Sequence, residues 1–255
     1  RRQHFIQEFD WIRRALMFEP RGHSAMSGSI IYPPSSDDFD MGVIYIETTG
    51  SLPMCGHGTI GTATFALERS LVKPKTQGLL RLETPAGRVD VQYVREGEKV
   101  TSAKLINVPS FLMYRDMEIE SPDLGPLKVD IAYGGNFYPI IERQEHFKDI
   151  KEHDAPSLIQ MGIRLREAIE GACEIVHPLD PSISGLRHCM WTGEAMDAGS
   201  HARGCVIAGE MIDRSPCGTG TSARLAQRAA RGLLGIGEPF VHESFIGSTF
   251  TGTVE

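Results

Sequence analysis

The 255-residue chain is short of several things that would place a protein quickly. It has five cysteines, an odd number, widely spread and without a C-x-x-C pair, which argues against a disulfide scaffold and a structural zinc site. Apolar runs are brief and broken by charge, glycine or proline, far from the roughly 20 residues that span a bilayer. No apolar stretch follows the opening Arg1-Arg2-Gln3-His4 as in a signal peptide, so a cytoplasmic protein with no membrane partner is expected. Basic residues number 26 against 33 acidic, a net charge of −7, and no basic stripe interleaved with aromatics would follow a phosphate backbone. Nucleic acid is therefore not an expected partner. There is no low-complexity tract, and 41% apolar with 23% charged residues is ordinary for a globular chain.

What is present reads as α/β. Segments 42–47, 88–94, 128–132 and 204–208 have the β-branched content of strands. Residues 155–170 place Leu158, Ile159, Met161, Ile163, Leu165 and Ile169 mostly on one helical face. The length suits two domains. The polar stretch Gln144–Asp149 suggests the junction, giving expected domains of 1–143 and 144–255.

A repeat carries most of the information. Cys55-Gly56-His57-Gly58-Thr59 recurs 162 residues later as Cys217-Gly218-Thr219-Gly220-Thr221. A proline lies within two residues before each copy, and a helix-like run follows: Ile60, Ala63, Leu67 and Leu71 after the first, Ser222, Leu225, Ala226 and Ala229 after the second, with Gly232 at the end. The similarity extends to Thr84–Val89 against Thr249–Val254, at an offset of 165. Duplication of a domain explains it.

Each copy sets a thiol at a helix amino terminus, where unpaired N–H groups and the helix dipole favour negative charge. Such a turn is expected to lower the thiol pKa and to hold a carboxylate, the glycines letting the ligand reach the backbone. Two facing turns could clamp a small anionic substrate and present a thiol to each face of its α-carbon. One thiolate would remove the α-proton and the other thiol would return one to the opposite face. His57 and Asp213 are candidates to bind the substrate nitrogen, and His188 is a further one. The simpler readings stand beside these. Cys173, Cys189 and Cys205 read as small buried hydrophobes. Asp213 beside Arg214 could be a solvated turn, Cys55 and His57 a hydrolase pair or metal ligands, and the two turns a binding module without chemistry. Only the paired reading gives Cys217 a reason to repeat Cys55.

At Met54–Gly61 and Asp213–Ala223 the chain resembles the two signature blocks of the proline racemase family, most closely its 4-hydroxyproline 2-epimerase branch. Similarity also runs through Phe18–His23, Pro122–Pro126 and Tyr133–Phe137. The resemblance implies a diaminopimelate-epimerase-like fold: two similar α/β domains, each with a sheet around a central helix, and an active site at their interface. It implies no cofactor and no metal. It makes Cys55 and Cys217 the catalytic pair and Gly56, His57, His188, Asp213, Gly218 and Thr219 substrate contacts. The implied reaction is epimerisation of 4-hydroxyproline at C2, with proline racemisation as the alternative and a homodimer as a compatible assembly. A 3-hydroxyproline dehydratase would carry threonine in place of Cys217. The family's opening Asp-x-His-Thr-x-Gly strand and a strand beyond Gly252 have no match here.

Overall fold

Strands with alternating burial and strands buried throughout both occur, and the difference shows which are covered on both faces. We describe residues 1–255 in a computed structural model, in which the chain forms two compact units, Arg1–Val108 and Pro109–Glu255.

In unit 1, α1 (Arg2–Glu8) and α2 (Asp10–Met17) precede β1 (Ser27–Tyr32), β2 (Met41–Glu47) and β3 (Gly50–Leu52). Then come α3 (Gly56–Glu68), β4 (Leu79–Thr84), β5 (Gly87–Glu96) and β6 (Lys99–Ile106). The sheet runs β1-β2-β4-β5-β6, with β3 on β2. Every residue of β2 is buried because both faces are covered. Ile44 and Ile46 pack with Phe5 and Met17 of the amino-terminal helices, while Tyr45 on the other face reaches Thr59 of α3. Neither α1 nor α2 was expected from periodicity. The helix after the first cysteine stops at Glu68, so Leu71 lies outside it, beyond the positive-φ residue Ser70.

Unit 2 starts with β7 (Phe111–Ser121), β8 (Gly125–Tyr133) and β9 (Phe137–Ile141), followed by α4 (Ala155–Ala172), β10 (Val176–His177) and β11 (Asp180–Ser184). It ends with β12 (His188–Gly193), β13 (Ala202–Ala208), β14 (Met211–Ile212), α5 (Gly218–Ala230), β15 (Phe240–Glu243) and β16 (Thr249–Gly252). The main sheet runs β16-β15-β13-β12-β9-β8-β7. Residues of alternate parity face opposite layers. Trp191 donates its ring N–H to Leu158 of α4, whereas Met190 and Val206 join Ala132, Tyr138, Ile140, Cys217 and Ala223 under α5.

The expected junction at 143/144 therefore falls inside unit 2, and the chain divides instead at Val108/Pro109. The reason is pairing: β9 is parallel to β12, with Ile140 opposite Met190, so β7–β9 share one sheet with β12, β13, β15 and β16. Gln144–Asp149 is no linker. Gln144 and Phe147 exchange backbone hydrogen bonds, and the buried Phe147 ring lies 4.8 Å from Trp191.

The duplication is visible as topology. In β1-β2-β3-α3-β4-β5 and again in β12-β13-β14-α5-β15-β16, an antiparallel pair is followed by a helix and then by a strand parallel to the second of the pair. The structure corrects the sequence alignment after the helices. Thr84–Gly87 turns from β4 into β5, but Thr249–Gly252 is strand β16, so the two are not equivalent. The matching turn is Glu83-Thr-Pro-Ala-Gly87 against Glu243-Ser-Phe-Ile-Gly247, at an offset of 160, with φ of 122° at Gly87 and 89° at Gly247. Both glutamates also do the same work: Glu83 accepts the Ser35 N–H, and Glu243 those of Met196 and Asp197.

Candidate functional site

Both repeated cysteines stand at the N-cap of a 13-residue helix. In the first turn Cys55 is extended, φ −143°. Its carbonyl accepts the Thr59 N–H at 2.9 Å and the Thr59 hydroxyl at 2.7 Å, which ties the turn to the first helical residues. The Tyr45 hydroxyl lies 2.5 Å from that of Thr59, and burial pushes the phenol well above its usual range. The Cys55 thiol is buried and lies 3.9 Å from Nε2 of His57, an exposed residue. A cavity of about 230 Å³ opens beside this thiol, lined among others by Ser29, Tyr45, Leu52 and His57.

The second turn has the same letters and a different setting. Cys217 has φ 61°, a positive value that a side chain rarely adopts and that costs on the order of 1–3 kcal/mol. Two side chains hold the loop leading into it. Asp213 accepts the Ser215 N–H at 2.8 Å, and the Ser215 hydroxyl accepts the Cys217 N–H at 3.0 Å. Thr221 mirrors Thr59, donating its N–H to the Cys217 carbonyl at 2.7 Å, while its hydroxyl bonds Pro216 and His242. The Thr219 hydroxyl lies 3.8 Å from the thiol, in the place of His57.

The remaining glycine of each motif keeps space for its own sulfur. A Cβ on Gly58 would stand 3.0 Å from Sγ of Cys55, and one on Gly220 would stand 3.2 Å from Sγ of Cys217. Gly134, in the β8–β9 turn, allows a closer approach still: a Cβ there would meet the Thr219 carbonyl at 2.2 Å. That contact sets β9 against the second turn. Asn136 donates to the Thr219 hydroxyl at 3.2 Å, and the Tyr138 hydroxyl lies 2.5 Å from Thr219 and 3.2 Å from the Cys217 sulfur. His188 is buried and stacks on the Tyr138 ring, centroids 5.1 Å apart.

The expectation of a lowered thiol pKa fails at Cys217. Burial pushes it well above the ordinary thiol value and the Asp213 charge adds to this, while Tyr138, the Gly220 N–H and Thr219 pull the other way. Desolvation of the thiolate outweighs the helix terminus. Cys189 and Cys205 are fully buried thiols pushed up by burial, Cys205 to about 12, and the partly exposed Cys173 lies 4.0 Å from the Met117 sulfur. All five thiols are free, and no three His, Cys, Asp or Glu side chains converge as a metal site requires.

Of the sequence candidates, Cys55, Gly56 and His57 cluster in unit 1, while Asp213, Cys217, Gly218, Thr219 and, through Tyr138, His188 cluster in unit 2. Tyr138 and Asn136 escaped the reading of the site. Their signal was the Tyr133–Phe137 segment, which contains Asn136 and stops one residue before Tyr138.

Comparison with known proteins gives a consistent picture. The proline racemase family model matches residues 1–255. A 4-hydroxyproline 2-epimerase of Paracoccus denitrificans is 55% identical over 256 residues, covering 100% of this chain and 77% of that protein. A hydroxyproline epimerase structure from Agrobacterium vitis with bound trans-4-hydroxy-L-proline matches at TM-score 0.87 and 31% identity, over 97% of this chain and 72% of that one. A probable proline racemase structure from Agrobacterium radiobacter with bound carbonate matches at 0.88 and 33%, over 97% and 74%. The α/β class expected from sequence and the diaminopimelate-epimerase-like fold of each unit, a sheet with the helix that follows its thiol turn, are found. No helix is long and apolar enough to cross a membrane.

Proposed function

We propose, from the premise that the chain belongs to the proline racemase family, that it is an isomerase converting trans-4-hydroxy-L-proline to cis-4-hydroxy-D-proline, with Cys55 and Cys217 as its two bases. One observation carries the mechanism: the same thiol turn occurs twice, once in each unit, at equivalent points of a duplicated topology. A single thiol turn would bind a carboxylate or attack an electrophile. A pair suits a reaction with two opposite faces.

The amino termini of α3 and α5 bind the substrate carboxylate through backbone N–H groups, which bear harder on it as negative charge grows during loss of the α-proton. His57 and Asp213 bind the ring nitrogen, with Gly56, His188, Gly218 and Thr219 as further contacts. Burial opposes the charged form of Cys217, and each turnover needs one of the two sulfurs as thiolate base and the other as thiol acid. After one turnover the roles are exchanged, and the reverse reaction uses that form. The relatives' names and the hydroxyproline held in the Agrobacterium vitis structure support the ring assignment. The five free thiols suit the reducing cytoplasm.

Racemisation of proline is the second reading, favoured by the likeness to the probable proline racemase. One experiment decides. The protein is incubated in heavy water with trans-4-hydroxy-L-proline or L-proline, following optical rotation and α-deuterium by NMR. Inversion with one α-deuterium per product, faster for hydroxyproline, is expected. Faster inversion of proline would move the substrate. Inversion that persists in the Cys55→Ala/Cys217→Ala double variant would end the two-thiol mechanism.

A further inference from the structure

A two-base inversion works in both directions only if its thiols have comparable proton affinities, because each must both take and return the proton. The second thiol is at a disadvantage: it is 6% exposed and lies near the Asp213 carboxylate, both of which oppose the thiolate. Something must restore the balance. Around Cys217 stand groups from its own loop and from three strands. From its own loop comes Asp213, an acceptor. From β15 comes His242, whose burial and the nearby Arg224 and Arg228 push its pKa down to about 3, so it stays neutral, and it bonds Thr221 rather than the sulfur. From β12 comes His188, stacked behind the Tyr138 ring. From β9 comes Tyr138, a fully buried phenol with its hydroxyl 3.2 Å from the sulfur.

We propose that Tyr138 is a positioning residue that stabilises the Cys217 thiolate by donating its hydroxyl proton to the sulfur, at the end of a hydrogen-bond chain running Asn136, Thr219, Tyr138, Cys217. The chain has a direction. The Asn136 amide N–H can only donate, so it occupies an acceptor position on the Thr219 oxygen. A thiolate sulfur can only accept, so with Cys217 charged the single Tyr138 proton goes to the sulfur 3.2 Å away, and the Tyr138 oxygen accepts the Thr219 proton 2.5 Å away. Burial pushes the phenol pKa well above its usual value and so favours the protonated, donating form. When Cys217 is a thiol, Tyr138 and the S–H can each turn to another partner, so the chain favours the charged form. Cys55 has no such arrangement: Tyr45 bonds Thr59, and the group beside the Cys55 sulfur is the exposed His57.

This inference rests on the two-thiol reading, yet it can be tested without turnover. The full chain is alkylated with iodoacetamide across a pH series, and labelling of the Cys217 and Cys55 peptides is read separately by mass spectrometry. In Tyr138→Phe, which keeps the ring and its stacking on His188, the Cys217 midpoint should rise by about one unit, a roughly tenfold loss of thiolate below the midpoint. The Cys55 midpoint should stay where it is. Thr219→Val, which removes the donor behind Tyr138, should move Cys217 in the same direction by less, and serves alone if Tyr138→Phe does not fold. A Cys217 midpoint that stays or falls in the folded variants, or an equal rise at Cys55, would overturn the proposal. If labelling shifts as expected but Cys217→Ala inverts hydroxyproline at the wild-type rate, the two-thiol mechanism fails while the chain of hydrogen bonds stands.

Discussion

The two thiol turns share four of five letters and the same place at a helix N-cap, and they differ in nearly everything around them. Cys55 is extended, with an exposed imidazole and a cavity beside it. Cys217 has a positive φ, a closed shell of Tyr138 and Thr219, and a pKa raised by burial. Their helices are anchored differently too. α3 is held along its length by hydroxyls, Thr59 bonding Tyr45 and Thr62 bonding Ser29, with Glu68 at its end accepting from Lys99 and the Val100 N–H. α5 is held by charge: Arg224 pairs with Glu142, and Gln227 and Arg231 both reach the buried Asp130. A duplicated motif thus preserves position and leaves proton affinity to be tuned separately in each copy.

The sharpest way to break this comparison is to remove one thiol at a time. Cys55→Ala and Cys217→Ala should each lower kcat/KM for inversion about a thousandfold or more in polarimetry. A variant of either that keeps near-normal inversion would show that only one copy works.

The next effect separates the anchors. Burial alone would raise the Asp130 carboxyl, but Arg231, the Asp116 N–H and Gln227 outweigh it and hold it below the usual carboxylate range. Arg231→Met should cost about 3 kcal/mol in urea unfolding, because it leaves a buried carboxylate short of its charge partner. The sign of the pH dependence follows from the lowered pKa. Wild-type stability from this group is complete above the unfolded carboxylate pKa of about 4 and disappears as pH falls through the lower folded value. The variant should therefore differ from wild type at neutral pH and converge on it in acid. A constant difference across that range would rule out the charge as the cause.

Crowding the sulfurs comes third. Gly58→Ala and Gly220→Ala put a methyl 3.0 Å and 3.2 Å from their thiols, and Gly220 also meets Met190 at 3.0 Å. Each should reduce kcat about ten- to a hundredfold through misplacement of the thiol, with Gly220→Ala the worse because its sulfur sits in a closed shell. Equal rates with wild type in stopped polarimetric assays would show that the turns have slack.

The smallest effect concerns the backbone. At position 217 the Gly variant should be more stable than the Ala variant by about 1 kcal/mol, since glycine accepts φ 61° without strain. At extended position 55 no such advantage is expected. Thermal unfolding of the four variants compares the two turns directly, and the same ranking at both would deny the difference in strain.

Much of this was legible in the chain. The strands at 42–47, 88–94, 128–132 and 204–208 and the helix from Ala155 lie where residue pattern placed them. Pattern misled where polarity and separation are not the same thing. Gln144–Asp149 looked like a linker because four of its six residues are charged or amide, yet Phe147 in its middle is core. The second half of the repeat was misaligned because Thr-x-x-Gly occurs in both segments, whereas the equivalence lies in a glutamate that accepts loop N–H groups. Tyr138 was invisible for another reason. In β9 every residue is buried, so alternation gives no sign of which side chain faces α5.

Local residue pattern was enough to set two thiols before two helices, because a Cys-Gly-x-Gly-Thr turn is a matter of local backbone geometry. Tertiary structure decided what each thiol experiences. Proton affinity depends on desolvation and on donors delivered from elsewhere, and the hydroxyl that meets Cys217 comes from a residue 79 positions away.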